Sequence, residues 1–382
     1  MNPTPAPSES APPPRLHSLD ALRGFDMAFI VGFGALCEAV AAAFPGDTAK
    51  AVAAQFDHVD WLGFHFEDLI FPMFVFIAGV SLTFSLARGV AQHGRGPTAF
   101  RFIRRCVVLF AIGIIYSGGF RHGWDAEALK QVRWLGVLQR IALASLGAGL
   151  LHLFLRPRWL VVSVFVLLGG YWALFAFLGN GDYAVGTNIA NAFDAKWLPG
   201  RQYDGHDPEG ILSTLPAIAS ALLGVLAGLW MQGSASPGRK TWLLFLAGAA
   251  LLTVGWVWSP WDPQTPMDHL PMWQMPVIKK IWTSSFVLVA GGCSAILFAL
   301  SYLFIDVLGW RALAKPWVWI GCNPITIYLC ESLLKFESLA TRFTGPREAL
   351  PITFRWLPPA VAFCFVLLLA RFLYQRKVFI RV

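Results

Sequence analysis

Charged residues are scarce in this chain: Asp, Glu, Lys and Arg make up 14% of its 382 residues, against about a quarter in a soluble domain. Polar stretches long enough for a soluble domain are missing too, because the segments between apolar runs are mostly short. The six cysteines, at 37, 106, 293, 322, 330 and 364, form no C-x-x-C pair, which argues against a disulfide framework or a thiolate metal site and for small buried thiols. The P-loop lysine signature, G-x-S-x-G and H-E-x-x-H are all absent, which argues against an ATPase, a serine hydrolase and a zincin. His58 and His65 do not stand at the i, i+4 spacing of a helical ligand pair, so no metal is expected. The two halves show no convincing repeat, which weighs against a transporter assembled from internal repeats.

Hydrophobic residues are abundant, at 56% with 17 Trp and a mean hydropathy of +0.58. A bilayer core takes about 20 apolar residues per helix. The expected fold class is therefore all-α and integral to the membrane, a polytopic bundle of about ten transmembrane helices at 24–44, 66–88, 102–118, 135–155, 159–178, 211–231, 241–258, 282–304, 316–336 and 358–376. Residues 1–14 hold Pro3, Pro5, Pro7, Pro12, Pro13 and Pro14 without apolar periodicity and read as a disordered cytoplasmic tail, with 15–382 as one transmembrane domain. The first span is longer than the core of a cleaved signal and is read as retained.

Ten spans put both termini on one side. With the termini inside, Lys and Arg concentrate in the inner segments, the 95–105 loop with Arg95, Arg101, Arg104 and Arg105 above all, while only Glu9, Asp20, Asp26 and Asp306 of the 22 acids are inner. This bias predicts cytoplasmic termini (N-in/C-in). The net charge of +8 then reflects topology and lipid contact, with no nucleic-acid partner.

Polar residues inside the spans gather at two depths. At the outer end, His58 and His65 stand with Asp57, Asp60, Trp61, Glu67 and Asp68 where the second span begins. Pro72 should kink that helix and free the Asp68 carbonyl. Gln139 and Arg140 in the fourth span, Glu209 and Ser213 before the sixth, and Lys280, Trp282 and Ser285 at the start of the eighth share this depth. Arg140 there must reach water, a carboxylate or a ligand, or snorkel to headgroups; Lys279 and Lys280 also fit as interfacial anchors. At the inner end, Asp20, Arg23 and Asp26 lie along one side of the first span, and the 95–105 loop fits either the positive-inside rule or a landing site for phosphate. Asn323 and Tyr328 add polar groups between the two ends, and Glu331 with Lys335 reads as a helical salt bridge. Phosphate-binding cations inside and a histidine with carboxylates outside suit transfer of a group across the membrane. An amino-sugar transporter without acyl transfer uses the same layout. A lipid scaffold would need none of the His58 cluster.

Seven segments carry a family resemblance: Arg15-Leu-His-Ser-Leu-Asp-Ala-Leu-Arg-Gly24, His58-x-x-Trp61-x-Gly63, Asp68-Leu-Ile-Phe-Pro72, Gly136-Val-Leu-Gln-Arg-Ile141, Asp207-Pro-Glu-Gly-Ile-Leu-Ser213, Lys280-x-Trp282-x-x-Ser285 and Gly321-x-Asn323-x-x-x-x-Tyr328. In this order they resemble the heparan-α-glucosaminide N-acetyltransferase-like family of membrane acyltransferases. The resemblance implies an acetyl-CoA-dependent N-acetyltransferase that moves an acetyl group from cytoplasmic acetyl-CoA to the amine of a glucosamine-type sugar on the other side. It places the active-site histidine on His58. The partners it implies are acetyl-CoA, a glucosamine-containing sugar and the bilayer, in a bacterial inner membrane with the histidine pocket facing the periplasm; the oligomeric state stays open, a homodimer included.

The chemistry follows from pKa matching. A protonated amine is a poor nucleophile, and an imidazole takes its proton near neutrality. Asp68 or Asp60 would orient the ring, and Arg140 or Lys280 would stabilise the thioester oxyanion. Direct attack and a transient acetyl-histidine both remain open. Trp61, Asp60, Gln139, Arg140, Glu209, Lys280, Trp282 and Ser285 are the candidate sugar-binding residues. Asp20, Arg23, Arg104, Arg105, Asn323 and Tyr328 are the candidates for the donor.

Overall fold

Long apolar runs without backbone partners of their own must close their hydrogen bonds within each segment, so a chain of this composition folds as helices. The computed structural model describes residues 16–202, 207–260, 262, 265–268 and 270–379; the expected tail at 1–14 lies outside them. Sixteen α-helices follow in order: α1 His17–Ala28, α2 Gly34–Ala42, α3 Asp47–Ala54, α4 Phe66–His93, α5 Arg95–Tyr116, α6 Ala126–Leu129, α7 Val137–Phe154, α8 Pro157–Ala173, α9 Ile189–Trp197, α10 Thr214–Gln232, α11 Pro237–Trp258, α12 Ser284–Ser301, α13 Arg311–Gly321, α14 Pro324–Leu334, α15 Phe336–Thr344 and α16 Leu357–Gln375. Among the described residues, eight helical segments are long and apolar enough to cross a membrane: His17–Ala42, Phe66–His93, Val137–Phe154, Pro157–Leu178, Thr214–Gln232, Pro237–Trp258, Ser284–Val307 and Ile352–Gln375. The protein is an all-α, polytopic membrane bundle.

Two of the ten expected spans take another form. The basic stretch expected as the loop 95–105 is helical: α5 begins directly after Gly94, whose φ of 79° turns the chain out of α4. Its arginines occupy the first half of a 22-residue helix, and this keeps it outside the eight. The span expected at 316–336 breaks into α13 and α14. Pro324 biases the preceding residue away from helical geometry, and Asn323 sits at φ −136°, ψ 47°. Glu331 and Lys335 do not form the expected side-chain pair, because α14 ends there with Lys335 in the left-handed region. The first span is also interrupted, at Val31 and Gly32, whereas α4 runs on through Pro72.

Small residues bring the helices together. A Cβ on Gly79 of α4 would stand 2.0 Å from the Ala221 carbonyl oxygen of α10, and one on Gly224 would stand 1.9 Å from that of Phe76. Gly24 of α1 and Gly321 of α13 meet in the same way, at 1.7 Å from Trp317 and 1.9 Å from Asp20. Within lipid, where apolar burial gives little net drive between helices, such close backbone approach supplies the van der Waals contact that holds them. The core between these pairs is apolar and runs through Met73, Ile77, Val225, Phe286 and Phe298, all fully or nearly fully buried. At one end of the bundle, short backbone contacts knit the connecting segments. Leu62 pairs with Ile278 and Arg133 with Gly200 as isolated antiparallel bridges, and the Gly63 N–H donates to the Val277 carbonyl at 3.0 Å. This end carries the candidate site.

Candidate active site

The site grows from the first turn of α4. Asp68, fully buried, reaches back to accept from the backbone N–H of His65 at 3.0 Å and of Val59 at 3.3 Å through Oδ2. The His65 contact is one half of a capping box, satisfying an amide that the helix leaves open. The other oxygen, Oδ1, lies 3.0 Å from His58 Nδ1 and accepts from Lys279 Nζ at 3.2 Å. Lys279 Nζ is also 3.0 Å from His58 Nδ1. A buried carboxylate holding two nitrogens satisfies the rule that buried charge must be paired. The His58 side chain is 56% exposed, against 18% for Lys279 and none for Asp68. His58, Asp60, Trp61, Leu62, His65 and Met267 line an open cleft of about 520 Å³, so an imidazole anchored on a buried acid faces open space.

Lys279 is held by a turn. The Trp282 N–H donates to the Lys279 carbonyl at 2.9 Å, with Trp282 at a φ of 52°. The Thr283 and Ser285 hydroxyls both donate to the Pro276 carbonyl, at 2.7 and 2.8 Å, and the Ile278 N–H donates to Thr283 Oγ1 at 3.0 Å. Ser285 and Trp282 are thus buried scaffold for the lysine turn. The Trp282 indole donates to Ser220 Oγ at 3.1 Å. Lys279 loses its proton more readily than an ordinary lysine because burial disfavours the ammonium, although Asp68 opposes this.

Arg140 is buried rather than snorkelling. Its guanidinium donates to the Ser213 carbonyl at 3.0 Å, Ser213 Oγ at 2.7 Å and the carbonyls of Pro208 and Gly210 at 3.2 and 3.3 Å, and lies 5.1 Å from the centre of the Trp282 ring. Arg133 donates to Asp207 Oδ1 at 2.9 Å and Glu209 Oε2 at 2.6 Å. Gln139, also buried, has an amide nitrogen without a hydrogen-bond partner. Trp61 donates from its indole to the Tyr183 carbonyl at 2.9 Å. The beginnings of α4, α7, α10 and α12 therefore meet at one end. Asp60 is exposed at the cleft, and Lys280 is half-buried.

The donor candidates are dispersed. Arg23 donates to Ser81 Oγ at 2.5 Å and lies 3.7 Å from Asp20. Ser81 stands about 20 Å along α4 from Asp68, at about 1.5 Å per residue. Arg104 and Arg105 are exposed on α5. Asn323, buried at the α13–α14 break, donates to the Val378 carbonyl at 2.9 Å, and Tyr328 stacks on Tyr116 at 4.6 Å between ring centres. A small apolar cavity of about 20 Å³ lies within the bundle, lined by Met27, Phe74, Leu109, Leu138, Ile141 and Tyr328 among others. Among the described residues, no group of three or more His, Cys, Asp and Glu is placed to hold a metal ion.

Sequence reasoning chose Lys280 over Lys279 and passed over Arg133. Adjacent lysines are alike in sequence; a turn decides which one faces the histidine. The signal for Arg133 was its opposite charge to Asp207 and Glu209, visible only once the loops were known to meet.

These features define a polytopic membrane protein with a histidine, carboxylate and lysine cluster at one end of its bundle. Residues 15–255, more than half of the chain, match the family model described as heparan-alpha-glucosaminide N-acetyltransferase, catalytic, and the chain belongs to that family. Human heparan-alpha-glucosaminide N-acetyltransferase is 26% identical over 437 aligned residues, covering 97% of this chain and 60% of the human protein. The mouse protein of the same name is 25% identical over 341, covering 73% of this chain and 49% of the mouse protein. The chain spans about half to three-fifths of the length of these curated relatives.

Proposed function

We propose that the protein transfers an acetyl group from acetyl-CoA to the amine of a glucosamine-type sugar across the membrane, with residues 15–382 as one acyltransferase domain. The observation that carries this reading is the 3.0 Å contact between His58 Nδ1 and Asp68 Oδ1 at the edge of an open cleft. With the Nδ1 proton directed to Asp68, Nε2 is left as the base that takes the proton of the attacking amine. Asp68 stabilises the imidazolium that results. Lys279, beside both groups, replaces Lys280 and Arg140 as the cation nearest the developing oxyanion, since Arg140 is buried with its terminal N–H groups engaged by carbonyls and a hydroxyl. Trp61 and Asp60 at the cleft offer the sugar an apolar face and hydrogen-bond acceptors, whereas Glu209, buried and held by Arg133, supports the loop before α10.

The donor enters from the opposite end. Its phosphates need cations, which Arg23 and the exposed Arg104 and Arg105 supply. The thin, mostly uncharged pantetheine arm would thread between the helices toward the cleft, with Tyr328 beside its route. Asn323 holds the helix break beside that route, and Asp20 orients Arg23. The bias of Lys and Arg supports cytoplasmic termini, about ten crossings and a histidine cleft facing the periplasm of a bacterial inner membrane.

The test is thioester consumption by purified protein in lipid nanodiscs, with glucosamine as acceptor. Acetylation by the parent and its loss in His58→Ala are expected. Sugar movement into vesicles without thioester consumption would make the protein a transporter instead. An acetyl group retained on His58 after incubation with donor alone would replace direct attack by a two-step route.

A further inference from the structure

Two acids inside the bundle have no role in the reaction described so far. Asp26, on α1, is fully buried, and neither of its carboxylate oxygens has a hydrogen-bond partner. Glu67, in the first turn of α4, turns inward against Gly34. A Cβ on Gly34 would stand 2.9 Å from its Oε2, and that oxygen too is buried without a partner. The missing side chain at Gly34 is what admits the carboxylate. Asp26 and Glu67 lie within electrostatic reach of each other. Glu67 in turn lies within electrostatic reach of His58, Lys279, Asp68 and Asp57 at the cleft and of Cys37 on α2. The rings of Phe25 and Phe29, beside Asp26 on the same span, close on Phe66, which precedes Glu67, at 6.5 and 5.2 Å between centres. Glu67 thus stands in electrostatic reach of both Asp26 and the histidine cluster.

An ionised carboxylate with neither donor nor cation is the costliest state such a site could hold, and the protonated acid avoids that cost. The reaction creates the complementary need: the departing sulfur leaves as a thiolate and must take up a proton to become the thiol.

We propose that Asp26 stores a proton inside the bundle at neutral pH, that Glu67 connects it to the His58–Lys279 cluster, and that the pair supplies the proton taken up by the departing sulfur of the donor. The transfer step rests on the acetyl-transfer reading above. It balances as follows. The amine nitrogen bonds to the carbonyl carbon and the carbon–sulfur bond breaks. The amine proton passes to His58, and the Asp26 proton passes to the thiolate. The imidazolium proton then returns to Asp26 through Glu67, so that amine and thioester become amide and thiol.

Infrared spectroscopy of the full chain in nanodiscs at pH 7 tests the storage directly. The carbonyl stretch of a protonated carboxylic acid should be present in the parent, absent in Asp26→Asn and retained in Glu67→Gln. With acetyl-CoA, Asp26→Asn should lower kcat about 10²-fold with little change in donor KM, and the deficit should shrink at least about tenfold for an acetyl thioester of a more acidic thiol, whose leaving group needs no proton. Glu67→Gln, an independent arm, should slow steady turnover while sparing the first one. No difference in the infrared band between parent and Asp26→Asn would overturn the storage, and an equal loss with both donors would overturn the transfer step. Loss of the band on replacing choline chloride by sodium chloride would assign the site to an alkali cation. A parent that shows the Asp26 band but consumes no thioester would overturn the acetyl-transfer reading and the proton's destination, while supporting the storage.

Discussion

Two ionic clusters lie at the same end of this bundle, built from similar parts and finished differently. In one, Arg133 donates to Asp207 and Glu209, and Arg140 directs its N–H groups to the carbonyls and hydroxyl of 208–213. In the other, Asp68 joins His58 and Lys279. The carboxylates Asp68 and Asp207 are equally buried, with no exposed side-chain area. What separates the clusters is the third member. Arg133 is 18% exposed, whereas His58 is 56% exposed and lines a cleft. A cluster whose charges are buried and paired binds loops together; a cluster with one titratable nitrogen exposed at a cleft can do chemistry.

That contrast breaks most sharply at His58. His58→Ala should cut acetyl transfer by about 10² to 10⁴-fold while changing stability by less than about 0.5 kcal/mol, because Asp68 keeps Lys279 as its partner. Turnover assays alongside thermal melts in nanodiscs separate the two readouts, and near-parental turnover would remove His58 from the mechanism. Arg133→Ala should do the reverse. It strands two buried carboxylates, at a cost of about 3–5 kcal/mol, while protein that remains folded at low temperature keeps most of its kcat. A variant that melts normally but turns over poorly would move Arg133 into the reacting site.

Lys279→Ala should lower kcat about 10²-fold, on the scale of losing one oxyanion donor, whereas Lys280→Ala should stay within about twofold. Equal losses would mean that the lysines act as a general positive field and that the turn holding Lys279 has no special purpose. An effect on stability alone is expected at Asp194 on α9, an acid on the side of the paired cluster. Burial raises its pKa from 3.8 to about 6, even though the Ile211 N–H donates to it at 2.8 Å. Because the folded-state value lies above the unfolded one, the stability it contributes is complete below about pH 4. It is lost as pH rises through 6, a change on the order of 2 kcal/mol. Asp194→Asn should flatten the melting temperature between pH 4 and 7; an unchanged slope would assign the pH dependence to another group.

Much of the fold was legible because hydrophobicity is additive along the chain. Eight of the ten expected spans correspond to long apolar helices, since about 20 apolar residues have one low-energy use. The other two expose where local reading fails. The arginines of 95–105 suggested a loop, yet charge on one side of a helix leaves its i→i−4 bonds intact, and α5 extends through them. The 316–336 run looked continuous, but Pro324 with Asn323 divides it.

For the site, composition alone located the acidic stretch around His58, and the order of short motifs pointed to the family. Pairings between distant segments were hidden. Lys279 and His58 are separated by 221 positions and Arg133 and Asp207 by 74, and nothing local distinguishes Lys279 from Lys280. Trp282, Ser285 and Arg140 were expected to touch substrate; the packing instead occupies them with carbonyls and hydroxyls. The chain by itself determined which segments leave water and roughly which ionisable groups lie at their ends, because burial depends on summed transfer energy over a window of residues. Only the tertiary structure decided which of those groups are satisfied and which are left open, because a hydrogen bond holds over about 3 Å and its partner is set by how glycine-lined helices pack.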